Sequence, residues 1–233
     1  DRPVPILVFI HGGGWRSGNK SGRISRLARL VATGRYAAAS INYRLTDEAT
    51  WPAQIHDAKA AIRWLRANAA QYNFDPERIA VEGSSAGGHL AAMLGVSAGN
   101  PEVEGELGPH VGASTRVACV IDCWGPTDLL AVLQGEHAAR HARPRSAPAR
   151  LLGGPVDTLP DLARHASPMT YVSQKAAPFL IIHGTKDPVV PVDQSKSFHE
   201  ALRNAGVEST LLLVEGAGHG YYHAEQTGKV IDA

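Results

Sequence analysis

Gly83-Ser84-Ser85-Ala86-Gly87 lies between an apolar run, Ile79 to Val81, and a run of small and apolar helix formers from Gly88 to Leu94. That order reads as strand, sharp turn and helix with Ser85 at the apex, the setting in which a G-x-S-x-G pattern is a nucleophile elbow. The turn forces the serine backbone into a strained conformation, so the positions two before and two after it must lack bulk. Gly83 and Gly87 supply that. A Gly/Ser/Ala cluster alone is equally the start of an ordinary helix, so the reading depends on what else the chain offers.

A serine hydroxyl becomes a nucleophile only when a base takes its proton, and the base must be oriented by an acid. The order Ser85, Asp187, His219 is the chain order of serine, acid and histidine in α/β-hydrolases. Of 11 histidines, His219 stands apart, because Gly216, Gly218 and Gly220 leave it on an uncrowded loop. His183 ends an apolar run and reads as a packed residue, and His89, one helical turn after Ser85, as a neighbour of the site. His56, His199 and His223 read as helix-surface residues, and His137 and His141 as solvated loop residues. Asp187, before Pro188-Val189-Val190-Pro191, is the first choice for the acid. Asp122 and Asp128 are the alternatives, and Asp193 reads as a helix cap.

Attack on a carbonyl makes its oxygen anionic, and backbone N–H groups aimed there lower the barrier, each by about 10² to 10³ in rate. Gly13, Gly14 and Ala86 are the candidate donors, and Trp15 and Trp124 are candidates for flanking the substrate. The Gly12-Gly13-Gly14 run is not read as a phosphate loop, since no Lys-Ser/Thr follows it and no G-x-G-x-x-G is present. His137 and His141 are four apart but lack the H-E-x-x-H pattern, so no metal is expected. No cofactor is implied.

The elements that must position these residues alternate along the chain. Val4 to Ile10 is a continuous apolar run that reads as a buried parallel strand emptying into His11-Gly12-Gly13-Gly14-Trp15. Further strands are predicted at 36–43, 78–82, 117–124, 179–183 and 210–214. Helices are predicted at 23–33, stopped by Gly34, at 52–72 with an apolar stripe from Ile55 to Tyr72, at 87–97 and at 195–204. Strand and helix in alternation imply right-handed crossovers and a mainly parallel sheet of about six strands with helices on both faces. In such a sheet ligands sit beyond the carboxyl ends of the strands, and all four candidate segments follow strands. Residues 125 to 177 are broken by prolines and read as an irregular insertion with short helical stretches at 127–133 and 147–152.

At 233 residues, 44% hydrophobic and 19% charged, the chain fits one α/β domain spanning residues 1–233. Lys plus Arg number 23 against 22 Asp plus Glu, a net +1, so no overall field draws it to nucleic acid or anionic lipid. The basic stretch from Arg140 to Arg150 reads as decoration of a solvated loop. Cys119 and Cys123 on one strand would sit about 13 Å apart, too far for a disulfide, and read as core thiols. No window approaches the ~20 apolar residues of a membrane span, and no basic-then-apolar leader precedes the first strand. The chain begins at Asp1 rather than Met, as a processed or trimmed product would, and neither compartment nor oligomeric state is legible.

With His11-Gly12-Gly13-Gly14-Trp15, Gly83 to Gly87, His183-Gly184-Thr185-Lys186-Asp187 and Gly218-His219-Gly220 in order, the chain resembles an α/β-hydrolase esterase. The closer resemblance is to the hormone-sensitive-lipase-like branch, near the bacterial feruloyl and acetyl-xylan esterases, with Ala166-Ser167-Pro168 and Asn42-Tyr43-Arg44-Leu45 adding to it. It implies Ser85 as nucleophile, Asp187 as acid, His219 as base and Gly13, Gly14 and Ala86 as oxyanion donors, acting on a small-molecule or carbohydrate ester. An arylformamidase shares the H-G-G-x-W form and is the alternative, and a non-catalytic binding protein of the same fold is a third reading. Members of the fold usually carry antiparallel strands before the glycine-loop strand and a longer final helix. Only Asp1 to Pro3 and Gly220 to Ala233 occupy those places, as in a minimal scaffold or a trimmed one.

Overall fold

In the computed structural model, residues 2–135 and 137–220 are described. Six strands form one fully parallel sheet: β1 (Val4–Ile10), β2 (Ala37–Ile41), β3 (Phe74–Ser84), β4 (Cys119–Cys123), β5 (Phe179–Gly184) and β6 (Ser209–Val214). Their spatial order is β2-β1-β3-β4-β5-β6, so the winding reverses at β1. Ile6, Val8, Ile10, Ile79, Val81, Val120 and Ile181 are all buried, which is why these strands read as near-continuous apolar runs. No antiparallel strand is present among the described residues.

The helices are α1 (Ile24–Val31), α2 (Ala53–Asn68), α3 (Ala86–Val96), α4 (Pro101–Glu104), α5 (Ala138–His141), α6 (Ala147–Leu152), α7 (Pro160–His165) and α8 (Asp193–Asn204). α2, α3 and α8 share one core with Val8, Val81, Val120 and Phe179. α1 packs beside β2 on the opposite face, where Arg23 lies over the Phe9 ring. α3 is buried along its whole length, the position of a helix apolar all round. Gly95 lets it press onto the sheet: a Cβ there would meet Val120 Cγ2 at 2.5 Å and the Phe179 ring at 2.6 Å.

Several local expectations are corrected. β3 begins four residues earlier than predicted, because buried Phe74 pairs with Val4 ahead of a register shift. Asp193 does not cap α8; it is the first residue of that helix and pairs with Lys196 at 3.2 Å, where its charge still suits the helix N-terminus. The predicted 52–72 helix ends at Asn68 and tightens to a 3₁₀ turn over Ala69–Tyr72. Within α2, Lys59 and Arg63 are buried and both engage Glu104, at 2.9 and 3.4 Å. The 125–177 stretch carries α5, α6, α7 and three 3₁₀ turns. Cys119 and Cys123 are both free. His223 lies outside the described residues.

Among the described residues no helix is long and apolar enough to cross a membrane.

Candidate active site

Ser85 sits between the end of β3 and the first residue of α3 with φ 55 and ψ −120. That left-handed backbone is uncommon for a residue with a Cβ and is held by its surroundings. The Ser85 amide donates to Cys123 O at 2.9 Å, and the Ser85 carbonyl accepts from His89 N at 3.0 Å. The glycines around it are sterically required: a Cβ on Gly83 would lie 2.0 Å from Gly87 O, and one on Gly87 would lie 2.1 Å from Ile10 O.

The loop after β6 delivers His219. Its Nε2 is 3.0 Å from Ser85 Oγ and its Nδ1 is 2.7 Å from Asp187 Oδ2. The loop after β5 delivers Asp187, whose carboxylate is fully buried. Oδ1 accepts from the amides of Val189 at 2.7 Å and Val190 at 3.0 Å. Burial alone would raise the Asp187 pKa, but hydrogen bonds from His183, His219, Val190 and Val189 outweigh it and hold the carboxyl well below the usual range. Asp187 is therefore ionised at neutral pH.

The two alternative acids are placed elsewhere. Asp128 caps its own turn through Leu130 N and Ala131 N. Asp122 is buried behind the elbow, with Oδ1 accepting from Gly125 N at 2.9 Å and Oδ2 without a partner. Burial pushes it up to about 6, against the Gly125 hydrogen bond and the nearby His183.

His183 is more than a packed residue. Its Nε2 lies 3.2 Å from Asp187 Oδ2 and 3.0 Å from Val190 O, and its Nδ1 is 2.7 Å from Ser195 Oγ. A carbonyl only accepts, so Nε2 carries the proton and the ring faces the acid as a donor. His137 and His141 are not solvated either. His137 Nε2 donates to Asp187 O at 3.2 Å and His141 Nε2 to Val189 O at 3.0 Å, while Arg140 donates to Pro188 O at 2.9 Å. Residues 137–141 thus grip three consecutive carbonyls of the acid loop. The only sequence signal was their i, i+3, i+4 spacing on a single turn.

Gly13 and Gly14 have φ of 113 and 61, values that favour glycine. Their loop abuts the elbow, since a Cβ on Gly12 would sit 2.6 Å from Ser84 O. The Gly13 and Gly14 amides have no acceptor among the described residues, and the Ala86 amide is one of the free donors of the first turn of α3. All three residues line a cavity of about 820 Å³ together with Ser85, His219, Trp15 and Trp124. Trp15 is also fixed in the core, its Nε1 donating to His89 Nδ1 at 3.3 Å. His89 passes the chain on, Nε2 to Ala166 O at 2.6 Å, and burial lowers it to about 4 so that it stays neutral. The Trp124 ring stands 6.0 Å from that of His219.

The BD-FAE family model matches residues 1–202. The esterase LipC of Mycobacterium tuberculosis is 37% identical over 94% of this chain and 54% of its own length. A truncated carbohydrate esterase from gut microbiota superposes with a TM-score of 0.85 at 35% identity, covering 94% of this chain and 80% of that one. The acetyl ester-xyloside bifunctional hydrolase of Caldicellulosiruptor lactoaceticus gives 0.80 at 29% identity, over 99% and 79%. The chain spans about half the length of the curated relatives it matches. By its parallel sheet, its serine elbow and the match over residues 1–202, the chain belongs to the BD-FAE family of α/β-hydrolase esterases.

Proposed function

We propose that this chain hydrolyses carboxylic esters as a serine esterase, through an acyl-enzyme. One observation carries the reading: the unbroken relay from Ser85 Oγ through His219, 3.0 Å, to an ionised Asp187, 2.7 Å. Ser85 Oγ attacks the ester carbonyl carbon as His219 Nε2 takes its proton. The carbonyl oxygen becomes anionic and accepts hydrogen bonds from the amides of Gly13, Gly14 and Ala86. The intermediate collapses, the C–O bond to the alcohol breaks, and the leaving oxygen takes the proton from His219. Water then attacks the acyl-serine, again losing a proton to His219, and Ser85 recovers its proton as the acid departs. Asp187 remains ionised throughout and balances the charge that forms on the imidazole.

The cavity of about 820 Å³ has room for a short acyl group with a sugar-sized alcohol, which supports acetylated or feruloylated carbohydrates as the substrate class. The relatives named above as a carbohydrate esterase and an acetyl ester-xyloside hydrolase point the same way. None of them is an arylformamidase. The reading is tested with Ser85→Ala against a panel of acetyl, butyryl and feruloyl esters and N-formylkynurenine. Ester turnover lost in the variant supports it, while retained turnover, or a preference for the formamide, overturns it.

A further inference from the structure

The cavity over Ser85 carries a charge pattern that hydrolysis of a neutral ester does not require. Five arginines line it: Arg16 and Arg23 from the segment after β1, and Arg140, Arg143 and Arg145 from the segment after β4. Among the described residues no Asp or Glu lines it. The whole chain carries only +1, so the concentration does not follow from overall basicity. Two of the five are employed elsewhere, Arg23 over the Phe9 ring and Arg140 on Pro188 O. Arg16, Arg143 and Arg145 are exposed, and none forms an ion pair with a described carboxylate.

The basic stretch is solvated, and it also lines the cavity over Ser85. The turn 142–146 that carries Arg143 and Arg145 is fastened at both ends. His141 Nε2 donates to Val189 O, and Ser146 Oγ donates to His141 O at 2.8 Å while accepting from Ala149 N. At the start of α6, Ala147 meets the glycine loop, where a Cβ on Gly14 would lie 3.2 Å from Ala147 Cβ. The two arginine-bearing segments are thus brought to the same mouth. Like charges gathered in a cleft repel one another and focus a positive potential. Guanidinium groups present a planar fork suited to a carboxylate.

Resting on the esterase reading above, we propose that the substrate is an anionic ester, one that carries a second, carboxylate group against Arg143 and Arg145. The carboxylate comes either from the acyl part or from the alcohol part, and both arms are tested with matched twins. The acyl arm compares the 4-nitrophenyl half-ester of glutaric acid with its methyl-capped form, read by 4-nitrophenol release. The alcohol arm compares acetylated methyl glucuronide with acetylated methyl glucoside, read by acetate release.

In at least one arm the anionic twin is favoured about tenfold or more in kcat/KM at low ionic strength, chiefly through KM. The preference shrinks toward parity at about 1 M NaCl, where the screening length is ~3 Å. It shrinks likewise in Arg143→Gln/Arg145→Gln, and it survives in Arg203→Gln, an exposed arginine on α8 outside the cavity lining. Parity of both pairs in the parent protein, or a preference untouched by salt and by the double variant, overturns the proposal while leaving the esterase reading standing. Turnover of none of the four esters overturns the esterase reading and the proposal with it. Should the double variant fail to fold, the salt series on the parent protein decides alone.

Discussion

Replacing Asp187 by Asn isolates the electrostatic part of the relay from its geometry. Asp187 Oδ1 accepts from the amides of Val189 and Val190, and Oδ2 faces His219 Nδ1 and His183 Nε2. In Asp187→Asn the two backbone donors keep the amide oxygen at the Oδ1 position, so the NH₂ group turns toward His219. An NH₂ group cannot accept a proton, so His219 must accept with Nδ1 and carry its own proton on Nε2, facing Ser85. The imidazole then has no lone pair for the serine proton. The loss in kcat is about 10⁴, or about 5 kcal/mol of transition-state stabilisation at 1.36 kcal/mol per decade. Asp122→Asn is the control, because Asp122 reaches Gly125 N and not His219, and burial already pushes it up to about 6. It costs less than about tenfold. The assay is steady-state hydrolysis of 4-nitrophenyl acetate, with thermal melts showing that both variants are folded. An Asp187→Asn enzyme within tenfold of the parent, or equal losses in the two variants, would exclude Asp187 as the group that orients His219.

Gly83→Ala puts a Cβ 2.0 Å from Gly87 O, a clash of the methyl group with backbone that no rotamer relieves. It costs about 3 kcal/mol or more, seen as a fall of roughly 6–12 °C in Tm or as failure to fold. Gly34→Ala has open space but a φ of 69, so it costs only about 1 kcal/mol; equal losses would show that packing at the elbow is not tight. His89 gives a pH signature. Burial, opposed by its bond to Ala166, lowers it to about 4, below its unfolded value of about 6.5. Above pH ~6.5 it is neutral in both states and adds no pH dependence. As the pH falls from ~6.5 to ~4 the unfolded chain takes up a proton that the folded chain refuses, and stability drops by up to about 3 kcal/mol. Urea midpoints across that range fall more steeply in the parent protein than in His89→Gln, where His11, His56 and His141, also lowered by burial, leave a shallower slope; parallel slopes would rule out the His89 contribution.

The sheet was legible because fully buried parallel strands have no polar face to interrupt them: Val4 to Ile10, Ile79 to Val81 and Phe179 to His183 stand out as apolar runs. The candidate site was legible for a related reason. Each of its residues follows such a run on a glycine-marked loop, so strand order alone sends Ser85, Asp187 and His219 to one rim. What stayed hidden depends on partners distant in sequence. Lys59 and Arg63 are buried inside α2, and the carboxylate that meets both, Glu104, lies 45 and 41 positions further on, so nothing local marks them. His183 read as packing because nothing local shows that its ring turns back onto an acid four residues on. The grip of His137, Arg140 and His141 on residues 187–189 spans about fifty positions of irregular chain, and no periodicity encodes it. Asp193 misled because a cap and a first-turn acid look alike in sequence.

Activation of Ser85 by His219 can be read from covalent labelling. A fluorophosphonate reacts with a serine whose hydroxyl has lost its proton to a base, and fragmentation of the labelled peptide separates Ser85 from its neighbour Ser84. One label per chain is expected on Ser85, with labelling slowed by several orders of magnitude in a folded His219→Ala protein. A label on Ser84 or elsewhere, no label on the folded parent protein, or labelling indifferent to His219 would contradict it.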